Sequence, residues 1–336
     1  MKKLALIFLL AASAAAQTLS PAVREYVKVD APTVVLNHVR LVDGTGAAAK
    51  DNQTVVLAAG KIQSIGATNS PASKGSKFID ATGMTLLPGL VLLHEHMFYP
   101  AGGGVYHEMA FSFPRLYLAN GVTSLRTGGS IEPYTDIEMK KSIDAGKSVG
   151  PKMHITGPYL EGSPPPILQL HGIATPDEAR TMVAFWAGQG ATSFKAYNVI
   201  TREELKAAID EAHARKLKLT GHLCSVGFRE AAALGIDNLE HGLVVDTEFY
   251  PEKKPDVCPD PTKAVLHLIT MDVNGPEIQQ TIKTLLTHHV AVTSTLPVFE
   301  NFVPGRANPA PIRVLAAMSE VAKRGEQGGT RDIRGT

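Results

Sequence analysis

The chain has 336 residues, 44% hydrophobic and 19% charged, enough apolar content to bury a large core. Its 33 lysines and arginines stand against 32 aspartates and glutamates, a formal net charge of +1. Basic residues cluster no further than short pairs, which excludes the electrostatic footprint of a nucleic-acid binder and points to a small-molecule partner.

Lys2-Lys3, the apolar run "LALIFLLAASA" and the small residues Ala14-Ala15-Ala16 come first. A charged start, a short apolar stretch and small residues are the pattern of a secretory signal peptide, expected over residues 1–16 with a mature start near Gln17. The run is shorter than the ~20 apolar residues of a membrane-spanning helix, and no cysteine follows it to carry a lipid. Export to a periplasm or beyond, without a stable membrane anchor, is the expectation.

Residues 33–85 carry "VVLNHVRLVDGTG", "TVVLAAGKIQSIG" and "KFIDATGMTLLPG", apolar alternation punctuated by Gly and Asn/Asp turns. They read as antiparallel strands and hairpins of a small, partial β-sandwich. From Leu86 the rhythm becomes short apolar or β-branched runs alternating with helical patterns, the mark of βα units around a parallel sheet. Seven such runs occur: "GLVLLHEH", "GVTSLRT", "PKMHITG", "ATSFKAY", "LKLTGHL", "IDNLEHG" and "VAVTSTLP". The unpatterned run Leu90-Val91-Leu92-Leu93 predicts a strand covered on both faces. Between the runs, Thr175-Pro176 starts one helix that ends at a glycine, and the capping box Thr201-x-x-Glu204 starts another. The long, Pro-rich connection from Gly242 to about Pro276 reads as a loop on the active face. Cys224 and Cys258 could pair in an oxidising compartment or remain two thiols; both readings stay open.

His94 and His96 end the first run, and side chains two apart on a strand share a face, while Glu95 points the other way. Lys195 ends the fourth run, His222 the fifth and His241 the sixth. Polar side chains at the same end of strand after strand are the pattern of a site at the C-terminal ends of a parallel sheet. Four imidazoles from three strands make a nitrogen-rich cluster suited to Zn2+ or a similar divalent ion, with open positions for water. Tyr197 shares a face with Lys195 and could orient a substrate carboxylate or carbonyl, or be a buried structural tyrosine. The segments "MFYPAGGGVYHE" and "GPYLEGSPPP" are expected to line the mouth, and His107, His154 and His171 to be structural or exposed.

The segments "VRLVDGTG", "GKIQSIG", "IDATGMTLLPGL", "HEH", "GVTSLRTGG", "GATSFKAY", "GHLCS" and "DNLEHG", in this order, resemble the metal-dependent amidohydrolase superfamily, within its imidazolonepropionase-like and dipeptidase-like branch. The resemblance implies a TIM (β/α)8-type barrel with a β-sandwich appendage built from both chain termini. It implies two divalent metal ions, zinc being expected, one on His94 and His96 and the other on His222 and His241. Lys195, carboxylated by CO2, would bridge them. The implied activity is hydrolysis of carbon–nitrogen bonds in amides or dipeptide-like substrates by a metal-activated hydroxide, specificity open. Phosphotriester or lactone hydrolysis on the same site is the alternative chemistry, and a non-catalytic metal- or ligand-binding remnant is the alternative outside catalysis.

The family's eighth-strand aspartate, the usual proton carrier, has no counterpart after "VAVTSTLP": the remaining segment holds a helix-like stretch at residues 311–324, and Asp332 follows no apolar run. The expectation for residues 86–336 is therefore a shortened barrel of seven strands, unstable or aggregating when purified and with background hydrolysis. A homo-oligomer is left open.

Overall fold

The computed structural model describes residues 18–67, 75–102 and 105–300. The signal-peptide assignment, the helix-like stretch at 311–324 and Asp332 lie outside the described residues. The chain divides into two compact units: Met1–Leu92, Met109–Leu125 and Tyr134–Met153 in one, Leu93–Glu108, Arg126–Pro133 and His154–Thr336 in the other. Among the described residues no helix is long and apolar enough to cross a membrane.

The first unit is built on a five-stranded sheet of β1 (Thr33–Leu41), β2 (Lys50–Ala58), β3 (Lys61–Ala67), β4 (Lys77–Asp80) and β5 (Thr85–Leu86). β2 and β3 form a hairpin across Ala59-Gly60, whose φ values of 50° and 71° are those a two-residue turn needs to match the strand twist. His38, at φ 61°, sits where the β1–β2 register shifts, a bulge in the strand. Val39, Leu41, Val55 and Ala81 bury their side chains together. The antiparallel expectation holds for β1, β2 and β3 only. β4 and β5 pair with β1 in parallel, since no two-residue turn directs them back as a hairpin.

The seven apolar runs all become strands: β6 (Leu90–Glu95), β9 (Val122–Thr127), β10 (Lys152–His154) with β11 (Thr156–Gly162), β13 (Ser193–Ala196), β14 (Lys218–Gly221), β15 (Asn238–Glu240) and β16 (Ala291–Thr293). The third run is split in two at Ile155. β10 joins a three-stranded sheet of order β10-β9-β6, and β11 joins a six-stranded one of order β12-β11-β13-β14-β15-β16, where β12 is Gly172–Ile173. All pairs in the larger sheet are parallel. Among the described residues these strands form open sheets, and no closed barrel is present. The glycine-rich segment after β6 folds into an unforeseen hairpin, β7 (Phe98–Gly102) against β8 (Val105–Glu108).

Helices between the strands follow their caps. Pro176–Gln189 is capped by the Thr175 hydroxyl, which accepts from Glu178 N, and is stopped by Gly190 at φ 115°. Arg202–Ala214 carries both halves of the Thr201/Glu204 capping box. These helices cover the sheet with a core that includes Phe194, Leu205, Ile209, Leu219, Phe228 and Leu239. Every side chain of β13 is buried, as a strand covered on both faces requires. β6 breaks that expectation: Leu90, Val91 and Leu93 are 52%, 60% and 56% exposed, because β6 is the edge strand of its small sheet. The Gly242–Pro276 connection is not a bare loop either. It holds a 3-10 turn at Leu243–Val245 and a helix at Pro261–Leu268, whose N-cap Asp260 accepts from the Thr262 and Lys263 amides. A Cys224–Cys258 disulfide pins it to the loop after β14, and the Arg202–Asp256 ion pair to the start of the helix Arg202–Ala214.

Candidate active site at the strand ends

Sheet register decides which side chains meet. Tyr159 of β11, Lys195 of β13 and Thr220 of β14 pair directly across the sheet and therefore share a face. Two residues on, alternation returns Glu161, Tyr197 and His222 to that face. Lys195 is 1% exposed, and its Nζ lies 3.3 Å from His94 Nε2. The imidazoles form a chain of contacts: ring centroids are 5.1 Å apart for His96 and His94, 4.7 Å for His94 and His241, and 4.4 Å for His241 and His222. Tyr197 packs edge-on to His222 at 5.1 Å and against Tyr159 at 4.4 Å. All six residues singled out from the sequence, His94, His96, Lys195, Tyr197, His222 and His241, thus stand in one cluster within the second unit. His107 and His154 are exposed, and His171 is spent on Glu178 at 2.6 Å.

Four residues not singled out from the sequence complete the cluster, two of them, Tyr159 and Glu161, within the segment "GPYLEGSPPP" expected to line the mouth. Glu240 is fully buried; one oxygen is 2.7 Å from His94 Nδ1 and the other accepts from an Arg126 guanidinium nitrogen and from Thr220 Oγ1, both at 2.6 Å. Arg126 Nε also donates to Leu93 O at 2.7 Å, tying β9 to the strand end that carries His94. Tyr159 places its hydroxyl 3.5 Å from His96 Nδ1. Glu161 is fully buried, and its Oε1 accepts from the Val199 amide at 2.7 Å and the Gly162 amide at 3.0 Å, while Oε2 has no partner among the described residues.

The "LEHG" motif held Glu240 in plain view, but strict alternation sends Glu240 and His241 to opposite faces. His241 takes φ 68°, a left-handed backbone that a non-glycine residue adopts only under constraint, and this turn lets neighbours in sequence serve one cluster. Gly128 and Gly129 have a packing reason. A Cβ at Gly128 would lie 2.6 Å from the His94 ring, and one at Gly129, where φ is 106°, 2.6 Å from the Tyr159 ring.

Burial sets the protonation states. It pushes the Lys195 amine down to about 7, opposed by the Glu240 carboxylate and helped by the Arg126 charge. Burial and then the Lys195 charge drive His222 down to about 2 and His241 to about 3, and hold His96 well below the usual range. Burial lowers His94 too, against the hydrogen bond to Glu240. Burial works against ionisation of Glu240, yet the His94 hydrogen bond and the Arg126 and Lys195 charges hold it well below the carboxylate range. Burial raises Glu161 to about 7 against its backbone hydrogen bonds.

These residues suit a divalent cation in kind. The imidazoles are neutral, as ligation requires. Glu240 occupies Nδ1 of His94, and Thr295 Oγ1 lies 2.7 Å from Nδ1 of His241, so the Nε2 atoms are the ones left to a metal. Among the described residues, no group of three or more His, Cys, Asp or Glu side chains forms a ready-made cation site.

No protein-family model and no curated protein matches the chain. Solved structures do. A "putative prolidase from Bifidobacterium longum" matches with 27% identity and a TM-score of 0.53 over 65% of this chain, which spans 58% of that protein's length. A Xaa-Pro dipeptidase with methionine bound in its active site matches at 19% identity and a TM-score of 0.56, covering 78% of this chain and 79% of that one. A bottromycin amidohydrolase matches at 17% identity and a TM-score of 0.60, covering 94% and 63%. The fold is similar to that of these prolidase, dipeptidase and amidohydrolase proteins.

Proposed function

We propose that the chain is an exported, metal-dependent hydrolase of carbon–nitrogen bonds in small amides or dipeptide-like substrates. The observation that carries the reading is the buried Lys195 amine in contact with His94, at the centre of four neutral imidazoles on the strand ends. His94 and His96 would hold one ion and His222 and His241 a second, zinc being the expected metal, with Lys195 as the bridging ligand after carboxylation. In that step the lysine nitrogen adds to CO2 and loses a proton, turning a repelling cation into an anionic ligand. Bound metal would supply Lewis acidity and a water acidic enough to ionise near neutral pH.

The chain's own groups do the rest. Glu240, anchored by Arg126 and Thr220, fixes the tautomer and orientation of His94. Tyr159 and Tyr197 pack against each other beside the lysine, and their hydroxyls would orient a substrate carbonyl or carboxylate. Glu161, on the same face and with one open oxygen, can hold or release a proton near pH 7. The Cys224–Cys258 bridge supports the export component, since such bonds persist in oxidising compartments. The test is metal analysis of purified protein beside a panel of amide and ester substrates. About two ions per chain, reduced in His241→Ala, with amide turnover that follows metal content, is the expected result. Metal-free protein that hydrolyses amides at the same rate refutes the reading.

A further inference from the structure

Next to His222 lies a cavity of about 340 Å3, at the low end for small-molecule sites and roomy enough to take a bulky substituent. Its wall includes Val199 from beyond β13, Leu223 from beyond β14, Val244 and Val245 from the turn after β15, and Val265 from the helix Pro261–Leu268. Each of the three strands that contribute does so through its C-terminal end, the side on which the histidines cluster, and His222 belongs to both places. Cys224 and Cys258, bonded to each other, both line it.

Its one acidic wall residue, Asp246, is 3% exposed. Asp246 Oδ1 accepts from the Phe228 amide at 3.4 Å and the Glu248 amide at 3.1 Å, and Oδ2 has no partner among the described residues. Burial, then repulsion from Glu248, raises its pKa well above the ordinary aspartate value, which disfavours a charge on this wall.

We propose that this cavity is the subsite for an uncharged, bulky apolar side chain of the substrate, of leucine or phenylalanine size. The inference rests on the hydrolase reading, whose substrate class it narrows. It is tested without turnover, by calorimetric binding of N-acetyl-L-leucine amide, N-acetylglycine amide and N-acetyl-L-lysine amide to chelator-treated full-length protein. The leucine compound is expected to bind at least ~10-fold tighter than either of the others. Val265→Trp and, separately, Val244→Phe fill the cavity and should abolish that advantage, with thermal unfolding showing that each variant is folded. Equal binding of the three compounds, a preference for lysine, no leucine-compound binding at millimolar concentration, or selectivity intact in both folded variants overturns the proposal. Metal analysis separates the two readings: selectivity for leucine in a protein that takes up no metal removes the hydrolase and leaves the subsite. Metal uptake without selectivity does the reverse.

Discussion

Replacing Glu240 by alanine strips the histidine cluster of its organising anion. The carboxylate is fully buried and makes contacts of 2.7 Å to His94, 2.6 Å to Arg126 and 2.6 Å to Thr220. Deleting one partner of a buried charge pair typically costs ~3–5 kcal/mol, because the other charge is left without compensation. The Arg126 side chain is 19% exposed, so water can replace part of the lost contact, and the lower end, about 3 kcal/mol, is expected. For a chain of this size that corresponds to a fall of about 4 °C in Tm. Calorimetry at pH 7 in chelator reads the effect without the stabilisation that bound metal would add. The companion variant Arg126→Met with Glu240→Gln removes both charges and should recover about half of the loss. A fall below ~1 °C in Glu240→Ala, or a double variant as unstable as the two single losses added together, refutes the view that this pair is a coupled, buried unit.

Glu161→Gln should change how stability responds to pH. With a folded pKa of about 7 against an ordinary value of 4.5, the native protein resists an ionisation that the unfolded chain accepts, so stability falls as pH rises from 4.5 to 7 and then levels. The glutamine variant should lose up to ~3 kcal/mol of that decline in denaturant melts at pH 4 and pH 8, and identical slopes for both proteins count against a buried, proton-holding Glu161. Gly128→Ala sets a methyl group 2.6 Å from the His94 ring and should cost ~1–3 kcal/mol and lower metal content in equilibrium dialysis. Unchanged metal content in that variant argues against His94 as a ligand held by this packing. Cys224 and Cys258 lie 34 residues apart, a loop whose closure corresponds to ~4 kcal/mol of chain entropy; Cys224→Ser with Cys258→Ser should lose 2–4 kcal/mol of it, while two free thiols in denatured, unreduced protein exclude the bridge.

Local rules carried well where the chemistry is local. Thr175-Pro176 and Thr201-x-x-Glu204 set helix starts because their hydroxyls satisfy amides within one turn, whatever surrounds them. Strand placement was legible for the seven runs, since apolar and β-branched stretches between turns have few other uses. Asp260-Pro261 was an equally local signal, an N-cap before a helix, hidden by the proline-rich composition around it. Exposure of Leu90, Val91 and Leu93 was not legible, because a run of aliphatic residues describes what can be buried and says nothing of whether a neighbour arrives.

His94, His96, Lys195, His222 and His241 were readable one by one, as polar residues at the same end of four of the seven runs, and so was Tyr197, from its place two residues beyond the lysine. Their order along the chain by itself determined that polar ends would gather if the strands paired in parallel, because parallel strands align like ends. Tertiary structure alone decided what stands behind them. Glu240, Arg126 and Thr220 come from different strands, and only the register of the sheets, the left-handed turn at His241 and the space left by Gly128 and Gly129 bring the carboxylate to His94 and the amine beside it. Such contacts depend on distances between residues more than a hundred positions apart, which no local pattern of side chains encodes.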